Sequence, residues 1–375
     1  MCNEIQTDNS TRRDFLKNVA IGTTGFAAAS SLSCGANQTG DTINESNQRI
    51  RSREPGTISS MRGYIKPSDL GFTLMHEHIA ILTPGIKENW PQYFNEEEFL
   101  KIADKKLNEL HSRGIQSLVE LTPADLGRDI RLLKKVQDLT PINIILCTGI
   151  YYDIPIFWQF KEADEMAETF IKDIKEGIQG SEITAGIIKL ATDDGGGGLN
   201  EQNEKCLRAG ARAHRATGLP ITTHTGPPRV GLEQQRVLRE EGVDLSRVII
   251  GHIGDTTDTD LQKKLMDEGS TIGMDRFGVY GEGTTVTFEQ RVDTVAELCS
   301  EGYADRMILS HDHMCWIDWD LKNLMPGWPA GNKNLYTHIS DDVLPALRER
   351  GVSEAQINQM MVRNPRRIFE EQGIY

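Results

Sequence analysis

The sequence predicts one (β/α)8 barrel, and three observations carry that expectation. Eight short apolar runs recur between residues 72 and 312. Segments with helical periodicity separate most of them, which implies βαβ units and parallel strands. Eight such runs over roughly 250 residues match a barrel better than an open doubly wound sheet, and five of them carry a candidate ligand (histidine, lysine or aspartate) at or near the C-terminal end, where a barrel gathers its site.

The N-terminal stretch stands apart from the barrel. Thr11-Arg12-Arg13-Asp14-Phe15-Leu16-Lys17 precedes a mildly apolar stretch from Val19 to Leu32 and then small residues. Paired arginines before a weak apolar core resemble a twin-arginine export signal over residues 1–34. Ser31-Leu32-Ser33-Cys34 admits a lipid anchor at Cys34, although such sites usually carry Leu three positions before the Cys, where Ser31 stands. Residues 35–60 are polar and charged, and are expected to form a disordered tether. The expected location is therefore extracytoplasmic, periplasmic or lipid-anchored. Residues 61–375 are expected to be the barrel domain.

Within the barrel the expected strands are 72–78, 115–121, 143–149, 185–191, 220–225, 248–253, 270–275 and 307–312. The expected helices include 98–112, 164–178, 201–217, 230–241, 258–268 and 287–301. The long stretch 313–337 carries Trp316, Trp319 and Trp328 with Pro326 and Pro329, and is expected to act as an ordered lid with an apolar wall. Gly195–Gly198 lacks the Gly-Lys-Ser/Thr continuation of a phosphate loop and is expected to be a flexible connection.

Composition narrows the partners. Apolar residues make up 38% of the 375, enough for a large core, and 41 Lys plus Arg against 55 Asp plus Glu give a net charge of −14. That balance argues against nucleic acid or an anionic membrane as the main partner. No apolar run is long enough for a spanning helix in the mature chain. Cys147, Cys206, Cys299 and Cys315 lie on different elements without a C-x-x-C pair and are expected to be buried free thiols.

The chemistry begins at Phe72-Thr-Leu-Met-His76-Glu77-His78. Period-two alternation puts His76 and His78 on one face and turns Glu77 away, so two imidazoles aim at one point. Alone they are half of a metal site. Lys189 lies near the end of the fourth run, His224 ends the fifth, His252 the sixth and Asp312 the eighth. A buried lysine and aspartate are costly unless paired, so six polar groups converging on one rim call for a cation. At His311-Asp312-His313 alternation alone allows either the aspartate or both histidines to face inward. His111 and His214 fall in helical segments and are expected in the outer layer.

This constellation resembles the amidohydrolase superfamily. More narrowly, Gly71-Phe-Thr-Leu-Met-His-Glu-His, Gly127-Arg128-Asp129, Gly231-Leu-Glu-Gln-Gln-Arg236 and Gly251-His-Ile-Gly-Asp255 resemble the phosphotriesterase family from about residue 62 to 372. The resemblance implies two divalent metal ions. His76, His78 and Asp312 would hold one, His224 and His252 the other, and N6-carboxylated Lys189 would bridge them with a hydroxide. Zn²⁺ suits these ligands, as do Co²⁺, Mn²⁺ and Fe²⁺. Asp312 would be both ligand and general base, Asp255 a carboxylate relaying the proton onward, and His311 a structural residue. Where phosphotriesterases proper carry Asp-His, this chain has Asp275-Arg276. That departure, with Gly149-Ile-Tyr151-Tyr152, is similar to the family's lactonase branch, in which an arginine lies by the substrate and a tyrosine near the hydroxide. Arg276 and Tyr151, with Tyr152 second, are the candidates. The implied reaction is hydrolysis of a lactone by attack of the hydroxide on its carbonyl. The alternatives are an organophosphate triester or a simple carboxylic ester on the same site. The family also implies a homodimer. A non-enzymatic metal-binding protein on this scaffold would be expected to lack a ligand, and here every position is filled.

Overall fold

A computed structural model of the chain describes residues 56–193, 199–280, 286–319, 335–370 and 373–375. The expected signal, nearly all of the tether, the Gly195–Gly198 loop and most of the lid lie outside the described residues. The folded domain begins earlier than expected, inside the stretch 35–60 read as a tether. Ile58–Ser60 form β1, which pairs antiparallel with β2, Gly63–Ile65. Ile58 is fully buried, and a buried isoleucine belongs to the folded domain.

The barrel strands are β3 (Thr73–Glu77), β5 (Ser117–Glu120), β6 (Asn143–Gly149), β7 (Ile187–Asp193), β8 (Ile221–Gly226), β9 (Val248–Ile250), β10 (Thr271–Met274) and β11 (Met307–Leu309). They form one eight-stranded parallel sheet in chain order, and β4 (Ala80–Ile81) pairs separately with β12 (Trp316–Ile317). Beyond β11 the chain returns to β3: Asp312 N–H donates to His76 O at 3.1 Å and His78 N–H to His313 O at 2.8 Å. These bonds close the ring and bring the ends of the first and eighth strands together.

The outer layer contains α1 (Glu96–Ser112), α2 (Ile130–Leu139), α3 (Ala163–Lys175), α4 (Glu201–Thr217), α5 (Gly231–Glu240), α6 (Thr259–Asp267) and α7 (Phe288–Ser300). Their starts are written locally. Asn95, Asp129, Asn200, Asp258 and Thr287 each accept a backbone N–H of the first turn of α1, α2, α4, α6 and α7. Asp129 belongs to the Gly127-Arg128-Asp129 motif. Its neighbour Arg128 is buried and donates to Cys147 O and to Asp173 Oδ2 at 2.5 and 2.8 Å. That motif is therefore scaffold, joining the second and third βα units.

Two apolar layers result from strand alternation. Leu118, Ile144, Leu146, Ile188, Leu190 and Ile250 face the helices. Met75, Val119, Ile145, Ile187, Ile249 and Ile308 fill the barrel interior. Ile58 and, from the C-terminal helix, Ile368 and Phe369 join that interior cluster. Bonds from Met61 N–H to Ile144 O and from Arg367 to Thr271 Oγ1 place both plugs at the N-terminal ends of the strands. The opposite end is left for polar chemistry. The four cysteines of the barrel domain are buried free thiols, and among the described residues no helix is long and apolar enough to cross a membrane.

His214 lies in α4 of the outer layer, but its ring is fully buried, bonded to Leu219 O and at 2.6 Å to the Tyr375 hydroxyl. Burial pushes its pKa down from 6.5 to about 4. The unfolded chain therefore binds this proton before the folded chain does. The contribution of this group is full above pH 6.5 and falls as pH drops from there towards 4, by up to about 3 kcal/mol. Urea midpoints at pH 7 and pH 5 should separate less in His214→Gln than in the parent; an unchanged separation would rule this group out as the source.

Candidate metal centre

The last three strands are shorter than expected. β9 ends at Ile250 and β11 at Leu309, so His252 and Asp312 lie in the turns that follow these strands. Both take left-handed backbone angles, φ 62° for His252 and φ 55° for Asp312. For residues with a Cβ this costs roughly 1–3 kcal/mol each and persists only where the surroundings dictate it. Alternation therefore does not decide the direction of Asp312; the turn does. Gly251 before His252 has no room for a side chain, since a Cβ there would come within 2.0 Å of Thr223 O.

On β3 the direction of His76 depends on a bulge. Leu74 faces the helices and Met75 the interior, so strict alternation would return His76 to the helical side. Between Leu74 and Glu77 the register against β5 shifts, with three residue steps opposite two. A bulge re-aims a side chain in this way, and His76 joins His78 at the centre. Glu77 then accepts from Ser310 Oγ (2.9 Å), His311 N (2.8 Å), His311 Nδ1 (2.7 Å) and His313 N (3.0 Å). It latches the loop that carries Asp312. His311 is occupied by Glu77 on one nitrogen and by Ile339 N–H on the other, and His313 Nε2 lies 3.2 Å from Lys106 Nζ. Asp312 is the member of the trio that turns to the centre.

The donor atoms meet closely. His78 Nε2 is 3.2 Å and His76 Nε2 3.5 Å from Asp312 Oδ1. Lys189 Nζ is 2.8 Å from His76 Nε2. His252 Nε2 faces His224 Nδ1 at 2.9 Å, and the Tyr151 hydroxyl lies 3.0 Å from that same Nδ1. Arg276 Nε donates to Asp312 Oδ2 at 3.0 Å and its Nη1 to Asp255 Oδ2 at 2.7 Å. Tyr152 packs at a tilt against Tyr151 with ring centres 4.4 Å apart. All ten residues read from the sequence as ligands, substrate contacts or, for Asp255, proton relay, with Tyr152 counted, thus gather at one end of the barrel.

Groups behind the histidines set their tautomers. Asp275 Oδ2 takes His76 Nδ1 at 2.8 Å, and its Oδ1 takes His252 Nδ1 at 2.9 Å and His252 N–H at 2.8 Å. Both Nδ1 atoms therefore carry the proton, and both Nε2 lone pairs face the centre. The Thr122 hydroxyl donates to Glu120 Oε1 and so accepts from His78 Nδ1 at 2.9 Å, with the same result for His78. Gln234 sits under His224, donating to His224 O (2.9 Å) and Thr192 Oγ1 (2.6 Å) and accepting from Thr223 and Thr225 hydroxyls. Asp125 Oδ2 accepts Tyr151 N–H at 2.9 Å and holds the tyrosine loop. Sequence reasoning did not assign these supports. Asp275 and Gln234 lay in motifs already noticed; Thr122, Glu120 and Asp125 carried no local signal.

Burial dominates the electrostatics. It pushes Lys189 down to about 8, against the pull of Asp312 and Asp275. It lowers His76, assisted by Lys189, and lowers His252 further, assisted by Arg276. Burial alone would raise Asp312, but His252, the His78 bond, His76 and Arg276 overcome it and hold the carboxyl well below the usual range.

The donor set fits divalent cations. His76, His78 and Asp312 offer buried ligand atoms within 4.8 Å of one another, and imidazole with carboxylate suits Zn²⁺ and its neighbours. His224 Nδ1 and His252 Nε2, face to face, form a second pair of nitrogen donors. Asp275 also converges with His76 and His252, but it meets both rings at Nδ1 and so orients ligands instead of adding one.

The sequence profile of the phosphotriesterase family matches residues 56–369. The chain is 44% identical over 333 residues to a phosphotriesterase homology protein of Mycobacterium tuberculosis, covering 85% of this chain and 99% of that one. It is 39% identical over 314 residues to an aryldialkylphosphatase of Saccharolobus solfataricus, covering 81% and 96%. The solved structure of the phosphotriesterase from Mycobacterium tuberculosis superposes with a TM-score of 0.76 at 42% identity, covering 85% of this chain and all of that one.

Proposed function

Because the chain belongs to the phosphotriesterase family of metal-dependent hydrolases, we propose that it hydrolyses the ester bond of a lactone. The observation that carries this reading is the rim of the centre. The Tyr151 hydroxyl and the Arg276 guanidinium flank the histidines and Asp312 there.

Two divalent cations held by His76, His78, His224, His252, Asp312 and carboxylated Lys189 would polarise the substrate carbonyl and activate the attacking water. The side chains do the rest. Asp312, aimed by its left-handed turn, takes the proton of the attacking water. Arg276 presents a fixed positive charge beside Asp312, where negative charge develops on the substrate oxygen. Tyr151, steered by Asp125 and packed edge-on to His224, orients the ring. Ile81, Leu126 and Met314 form an apolar cluster with Ile317 and Trp319 beside Tyr151, which offers a wall for the lactone's side chain.

Organophosphate triesters and simple carboxylic esters are the competing substrates, since each passes through a centre with a developing oxyanion. A panel of five- and six-membered lactones, aryl esters and a dialkyl aryl phosphate triester tests the choice. Lactones should have the highest kcat/KM, by roughly 10²-fold or more, or about 3 kcal/mol of differential transition-state binding. Equal or faster turnover of the triester would overturn the preference.

A further inference from the structure

Arg291, in the first turn of α7, is the largest fully buried side chain among the described residues. A buried guanidinium is costly unless its donors are met, and three of its nitrogens find acceptors on two different loops. Nε donates to Gly254 O at 3.0 Å, Nη1 to Arg276 O, and Nη2 to Asp255 Oδ1 at 2.9 Å. Gly254 and Asp255 follow β9, and Arg276 follows β10. The guanidinium also lies over the Phe277 and Tyr280 rings, at 5.8 and 5.4 Å. Only a planar fork can span these acceptors while stacking on aromatic faces.

The contact continues towards the centre. Asp255 is gripped by Arg291 on Oδ1 and gives Oδ2 to Arg276 Nη1 at 2.7 Å, and Arg276 Nε reaches Asp312 Oδ2 at 3.0 Å. Asp312, Arg276, Asp255 and Arg291 thus form a line of alternating charge from the rim of the metal centre to the helical layer. The member between Asp312 and Asp255 is a guanidinium, which offers donors and no acceptor.

We propose that Arg291 is a positioning residue, which through Asp255 and the Arg276 carbonyl fixes the Arg276 guanidinium at the rim of the centre, and that Asp255 serves in this clamp. The proposal rests on the reading in which Arg276 faces the substrate. In a free loop the arginine side chain would sample many rotamers; held from behind, its charge stands where the reaction needs it.

The test is a double-mutant cycle of Arg276→Met and Arg291→Met, run on whichever panel substrate the parent turns over fastest. Metal content and backbone hydrogen exchange of 253–256 and 276–280 are measured on each purified protein. Arg276→Met should lower kcat/KM by about 10²-fold, chiefly in kcat. Arg291→Met should fall by a similar factor with metal content unchanged. The double variant should fall no more than about threefold below either, because both remove one effect. Exchange in the two loops should rise in Arg291→Met and stay at the parent level in Arg276→Met. Additive losses, loss of metal in step with activity, or unchanged exchange in Arg291→Met would each overturn the proposal. If Arg276→Met keeps full activity, the reading of Arg276 as a substrate contact fails, while the exchange measurement still decides whether Arg291 anchors the loops. Should Arg291→Met fold poorly, Arg291→Lys takes its place in the cycle, since an ammonium keeps the charge but cannot span the three acceptors.

Discussion

Lys189→Ala should lower kcat/KM by roughly 10³-fold or more, because the proposed carbamate on Lys189 would bridge the two cations, an interaction worth several kcal/mol in the transition state. Lys189 lies on β7, is fully buried, and its amine stands 2.8 Å from His76 Nε2. A free ammonium there would be a cation facing a ligand nitrogen; a carbamate supplies an anion with two oxygens. Native mass spectrometry of the parent should therefore show the mass of one added CO2, absent from the variant. Metal analysis should show two cations per chain in the parent and a shortfall in the variant. The barrel should survive, since alanine fits a strand of this sheet and the neighbouring Ile188 and Leu190 still pack against the helices. An alanine variant that keeps both its cations and its turnover would remove Lys189 from the site.

Asp312→Asn should lower kcat by about 10²- to 10⁴-fold, the range expected for loss of a positioned general base. The substitution keeps shape, and an amide oxygen can still accept from Arg276 Nε, which now stands 3.0 Å away. What it loses is negative charge among His76, His78 and His252, so cation affinity should fall as well. Measuring kcat at saturating metal separates the two losses. Full recovery of kcat with added metal would leave Asp312 as a ligand only. The left-handed turn should persist, because Glu77 still holds His311 N and His313 N on either side.

Much of this site is legible in the order of residues along the chain. Six ligand candidates stand at or near strand ends, and each can be numbered from apolar runs and polar punctuation alone. That works because alternation and helix periodicity are local, and because a parallel barrel sends the C-terminal ends of all its strands to one face. What is not legible there is non-local. His76 and Asp275 are 199 residues apart, and His78 and Thr122 are 44 apart. No local pattern announces that one carboxylate will meet two rings at Nδ1. Arg291 gives no signal either, because a lone arginine early in a helix reads as surface charge; its burial follows only from where α7 docks.

The amino-acid sequence by itself determined the strand and helix order, the barrel and the kinds of atom that meet at its mouth. It also carries the twin-arginine pattern at the N-terminus, from which an export signal and a tether are expected. Tertiary structure alone decided the aim of those atoms. The bulge in β3 turns His76 inward, the turns after β9 and β11 hold His252 and Asp312 at positive φ, and Asp275, Thr122 and Arg291 lock the rest from behind. The physical reason is one of range. Burying apolar faces needs only a repeating local pattern, whereas aiming a lone pair to within a few tenths of an ångström needs hydrogen bonds from residues that only the closed barrel brings together.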